Sequence, residues 1–274
     1  MSRLLKADIY RMMKSRLTMI ALILAFAFPF VMVLLYIGIR TMAGLGEDLA
    51  GSEMLFNANS VIGSAYSLTN NIGLIIPAFA GILACSDYSD GTLRNKVIAG
   101  NRRSAIYLSH LAVSILFTVG IITIYVAMTA ALSLLFLPFN RDPSMQLGRE
   151  IIYFVAYGTM TFVFIATVST LLAMTLRNIA PTIIFTIVLV ILLLTANSVL
   201  LLTDYSAYKY LVYFIPTFGA NFFNLDGSGL LELMSATAGH SETLIFTEGM
   251  LSYAFFGIVN TVIGLIVFNK RDIK

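Results

Sequence analysis

The 274 residues are 59% hydrophobic and only 11% charged, with a formal net charge of +3. Soluble domains carry about 25% charged residues, so a water-soluble fold of this composition would expose large apolar patches, and the chain reads as an integral membrane protein. A single cysteine, Cys85, excludes an intrachain disulfide and reads as a small packing residue.

The N-terminal stretch "SRLLKADIYRMMKSR" places Leu4, Leu5, Ile9, Met12 and Met13 on one helical arc, with Lys6, Tyr10, Arg11 and Lys14 largely opposite. This predicts an interfacial amphipathic helix over 1–16 that leans on membrane lipid, with Asp8 interrupting its apolar side. Six apolar stretches follow, at about 17–39, 62–86, 105–137, 151–176, 180–202 and 249–269. Each reaches the ~20 residues that a helical span needs. The first is too long for a signal-peptide core and is read as a retained span. The second is interrupted by Asn70 and Asn71, and the third is long enough to require tilting. No stretch shows the alternating polarity of barrel strands.

Basic residues give the orientation. With both termini cytoplasmic, thirteen Lys and Arg fall inside and four outside, as the positive-inside rule demands. Their scatter along span flanks disfavours nucleic acid as a partner. The outside connection 203–248 contains "YKYLVYFIPTFGANFF", too polar for a span and too aromatic for a free loop, which predicts re-entrant or interfacial helices. The expected fold is therefore all-α: a single transmembrane domain over 1–274 with six spans.

Catalytic signatures are missing. The sequence has no phosphate-binding loop of the G-x-x-x-x-G-K-[ST] type, no H-E-x-x-H and no G-x-S-x-G. Its two histidines, His110 and His240, are expected on opposite faces of the membrane, so no metal site is expected. "DGSGLL" around Ser228 reads as a Gly-Ser turn. The chain is expected to be non-catalytic, with no cofactor of its own.

The connection 85–111, "CSDYSDGTLRNKVIAGNRRSAIYLSHL", carries the most information. Asp90 is expected to cap a short helix starting near Thr92. Gly100-Asn101 is expected to end that helix in a left-handed conformation. Leu93, Val97 and Ile98 would face lipid or protein, and Arg94, Asn95 and Lys96 the cytoplasm. An ordinary basic loop with turns fits the same spacing.

Asp87, Asp90, Gly91, Thr92, Leu93, Arg94, Asn95 and Lys96, followed by Arg103 and "IYLSHL" at 106–111, resemble the permease subunits of type-2, export-class ABC transporters. The plan of an amphipathic N-terminal helix and six spans, and the minimal turn in "LLAMTLRNIAPTII", are similar to that family as well. His110 stands where the family often has lysine. The resemblance implies that the loop 87–104 docks on a separate ATPase subunit, which would hold ATP and Mg. It assigns contact roles to Asp87, Asp90, Gly91, Thr92, Arg94, Asn95, Lys96 and Arg103. It further implies a second permease subunit, identical or sister, and a place in the bacterial cytoplasmic membrane.

Polar residues within spans, namely Asn70, Asn71, Thr167, Asn197 and Asn260, are candidates for the pathway or the subunit interface. The mostly apolar spans suit a peptide, lipid or drug that is hydrophobic or amphipathic. A stand-alone secondary carrier or channel is the alternative, although no mid-span acid or base supplies the usual handle for ion coupling.

Overall fold

The computed structural model describes residues 2–43, 58–66, 68, 71–138, 147–201 and 242–270. Among them the chain is all helical, without a strand. Helix α1 covers Ser2–Lys14 and α2 covers Arg16–Ala43. Helix α3, Ala58–Gly63, runs into a 3-10 turn at Ser64–Tyr66. Then come α4 (Asn71–Ser89), the short α5 (Thr92–Ile98) and α6 (Arg103–Phe136). Helices α7 (Leu147–Leu176), α8 (Ile179–Leu201) and α9 (Glu242–Lys270) complete the order.

Among the described residues four segments are long and apolar enough to cross a membrane: Arg16–Ile39, Arg103–Phe136, Ile151–Leu176 and Phe246–Lys270. Two further apolar helical stretches, Ile75–Tyr88 and Ile179–Leu193, are shorter. Their composition is compatible with a multi-pass membrane protein.

One predicted boundary needs correction. The stretch 62–86 is not one continuous α-helix: α3 ends at Gly63 in the 3-10 turn Ser64–Tyr66, and α4 covers Asn71–Ser89. The expected helices over 203–248 and the site candidate Asn70 lie outside the described residues, apart from the start of α9. So do Ser228 and His240.

Helices α6 and α7 form the centre of the packing. Helix α7 meets α4, α6, α8 and α9, and α2 lies along α6. Aromatic rings fill the centre. Tyr66 meets Phe154 edge-on at 4.9 Å between centroids, and Tyr157 meets Tyr253 at 5.2 Å. Glycine permits one especially close approach: a Cβ at Gly158 would collide with the Tyr66 ring. Between α7 and α8 only Arg177 and Asn178 intervene. Arg177 takes a left-handed φ of 57°. Thr182 fastens the new helix by donating from Oγ1 to the Asn178 carbonyl at 2.8 Å.

Candidate functional site

The short helix α5 lies between two glycines in left-handed conformation. At its start Gly91 has φ 66° and ψ 7°, a left-handed conformation that glycine adopts without steric cost. At its end Gly100 has φ 79°. The Gly100 N–H donates to the Val97 carbonyl at 3.0 Å and the Ala99 N–H to Asn95 at 2.9 Å. Asn101 also donates from its side-chain amide to the Lys96 carbonyl at 3.0 Å. The predicted left-handed terminator at Gly100 is therefore present.

The predicted Asp90 cap is not. Gly91 occupies the N-cap position and no side chain caps the helix. Asp90 is exposed. Its N–H instead closes α4 by donating to the Ser86 carbonyl at 2.9 Å. With glycine placed immediately before Thr92, the Asp90 carboxylate stands one residue too early to cap.

Beneath α5 lies a buried ion network. Asp87, in the last turn of α4, is wholly buried. Its Oδ1 accepts from Thr92 Oγ1 at 2.7 Å and pairs with Arg11 of α1. Its Oδ2 pairs with Lys96 of α5 and lies 2.6 Å from His110 Nε2 of α6. Lys96 Nζ also reaches Asp8 Oδ1 of α1 at 2.7 Å. The second Asp8 oxygen accepts from Ser109 Oγ at 2.7 Å. Arg11 donates as well to Thr92 Oγ1 at 3.0 Å and to Ser86 Oγ at 3.3 Å.

Two carboxylates thus face an ammonium and a guanidinium, and the charges balance. A lone buried carboxylate costs several kcal/mol in real proteins, and such a cost is offset only when most of its lone pairs are occupied. Both oxygens of Asp87 are. Burial holds the Lys96 ammonium below its ordinary lysine range, the hydrogen bond and charge of Asp8 oppose that shift, and Arg11 adds to it. A proton on His110 Nε2 lets it donate to Asp87. The same nitrogen approaches Lys96 Nζ at 3.3 Å, so its tautomer and the position of Lys96 are linked.

This arrangement revises the expected docking face. Lys96, expected to face the cytoplasm, and Asp87, given a contact role by the resemblance, both turn inward and pair with each other between the helices. Thr92 is half-buried and is used by the same network. Arg103 donates from Nη1 to the Asn269 carbonyl at 3.2 Å, joining α6 to the end of α9. The outward face is left to Asp90, Gly91, Arg94 and Asn95, with Ile98 72% exposed beyond them. Leu93, at 2% exposure, packs inward with Tyr107, Met174 and Phe268. Asp8 and His110 were not expected here. The only sequence signal was an acid on the apolar arc of α1 and a histidine one turn after Tyr107.

Two of the pathway candidates, Thr167 and Asn260, have described side chains. Thr167 is buried but bonds its own helix, donating to the Phe164 carbonyl at 2.7 Å. Asn260 is half-buried on α9. Asn71 opens α4 and Asn197 lies in α8. Among the described residues no group of three or more His, Cys, Asp or Glu is placed to hold a metal ion.

Residues 57–274 match the family model described as "Protein of unknown function (DUF2705)". No curated protein matches the chain.

Proposed function

The chain belongs to the DUF2705 family, and we propose that it is the membrane-spanning permease subunit of an ABC exporter. In this reading all six apolar helices span the bacterial cytoplasmic membrane with both termini inside. A separate ATPase, carrying ATP and Mg, docks on residues 86–104. A second permease subunit completes the path, and the cargo is hydrophobic or amphipathic. The chain itself is non-catalytic.

One observation carries the reading. A seven-residue helix, hinged at Gly91 and Gly100, presents Arg94, Asn95 and Ile98 outward while its inner side is fastened by Asp87 and Lys96 to three other helices. Force applied to a slack loop is lost in bending. Force applied to this insert reaches α1 and α4 through ion pairs and α6 through the His110–Asp87 contact. An exposed isoleucine beside an arginine has the composition of a docking anchor.

The test is Arg94→Glu combined with Ile98→Asp. Both side chains are exposed, so the fold should change by no more than about 0.5 kcal/mol. Co-purification with the ATPase from native membranes should fall at least about tenfold, as loss of a central anchor implies. An intact complex with unchanged substrate-stimulated ATP hydrolysis would refute the docking assignment. Transport by the chain alone in liposomes would favour a stand-alone carrier.

A further inference from the structure

A cavity of about 360 Å³ opens between α1, the start of α2, α4 and α6. Its walls divide by chemistry. Arg11, Lys14, Ser15 and Ser86 supply cations and hydroxyls, and Leu17 and Leu83 supply apolar surface. The cavity abuts Arg16, where the first segment apolar enough to cross a membrane begins. Small-molecule pockets run from about 300 to 1,000 Å³, so the space suits a headgroup rather than a single ion.

The charges in the wall select the ligand. Arg11 is committed to Asp87 and Asp8 to Lys96, so these four cancel. Lys14 has no carboxylate partner among the described residues. Its ammonium rests 4.8 Å from the Tyr10 ring centroid. Asp90 also lines the cavity. A cation with a carboxylate nearby, above an apolar wall, matches an amphiphile bearing a phosphate and an amine.

We propose that this cavity binds the headgroup of a membrane phospholipid. The phosphate sits at Lys14 with Arg11 behind it, the amine turns toward Asp90, and the first methylenes follow Leu17 and Leu83. Arg11, Asp8 and His110 line the cavity and also belong to the ion network. A bound lipid would therefore brace that network from the membrane side. The inference needs no ATPase partner and stands apart from the exporter reading.

Native mass spectrometry of the full chain, released from detergent with phosphatidylethanolamine present, reads the bound lipid directly. The wild type should retain one molecule. Lys14→Glu should lower retention about tenfold, as loss of one charge-assisted phosphate contact implies, and Lys14→Arg should preserve it. Lys6→Glu, which alters an exposed charge of α1 away from the cavity, should leave it unchanged. Diacylglycerol with the same acyl chains should not be retained, and soluble phosphoethanolamine should not compete. Equal retention of diacylglycerol would remove the phosphate from the assignment. Effective competition by phosphoethanolamine would make this a site for a soluble anion. Equal loss in Lys6→Glu and Lys14→Glu, or no loss in Lys14→Glu, would overturn the proposal.

Discussion

Replacing Asp87 by Asn preserves shape and the contact with Thr92 but removes the negative charge shared by Arg11, Lys96 and His110. Removing one member of a buried ion pair costs about 3–5 kcal/mol when the remaining charge has no other partner. Two features of the network lower that figure. The Arg11 side chain is 41% exposed, so water takes over much of its loss and its share falls to about 0–1 kcal/mol. Lys96 keeps Asp8 at 2.7 Å. The expected cost is about 2–3 kcal/mol, or roughly 30–150-fold in the folding equilibrium. Equilibrium unfolding in mixed micelles, titrated with sodium dodecyl sulfate and followed by far-ultraviolet circular dichroism, measures it. The cycle of Asp87→Asn, Lys96→Met and the double variant isolates the pair, and a coupling of about 1–2 kcal/mol is expected. Exposed Asp90→Asn serves as the control and should lie within about 0.5 kcal/mol of wild type. An Asp87→Asn cost no larger than that control, or a coupling of zero, would refute the network as a stabilising junction.

Glycine substitutions probe the rest of the fold by the same titration. Gly158→Ala drives a methyl group into the Tyr66 ring and should cost about 1–3 kcal/mol, whereas Gly120→Ala meets nothing within 4 Å on an exposed helix surface and should gain up to about 1 kcal/mol. Equal effects at the two sites would contradict the described packing of α7 on Tyr66. Gly91→Ala also meets no atom within 4 Å, so its cost comes from the left-handed φ of 66° alone and should be about 1–2 kcal/mol. A neutral Gly91→Ala would show that this hinge is not held left-handed.

The long helices were legible because each carries one dominant physical signal. An apolar run about 20 residues long, closed by Arg, Lys, Gly or Asn, can do little else. The stretches 105–137, 151–176 and 180–202 accordingly differ by a few residues at most from α6, α7 and α8. The end of short α5 was legible from Gly100, whose conformational freedom marks it. The ion network was not. Asp8 and Lys96 are separated by 88 positions and Arg11 and Asp87 by 76, so no local pattern announces that they meet. A charge in a loop is ordinarily solvated, and that expectation misplaced Lys96. The same habit of reading nearest neighbours assigned the cap to Asp90, when a single glycine had moved the helix start beyond its reach.

Helix α6 is unbroken over 34 residues, and at 1.5 Å per residue it is a rod about 50 Å long. His110 and Ser109 anchor it near one end, while its other end reaches Phe136. A rod pivoting near its base acts as a lever: about 5° of tilt at the anchored end carries the far end through roughly 4 Å, close to half the spacing of packed helices. Proline at Thr123 would break that rod midway and shorten its reach without touching a single charge.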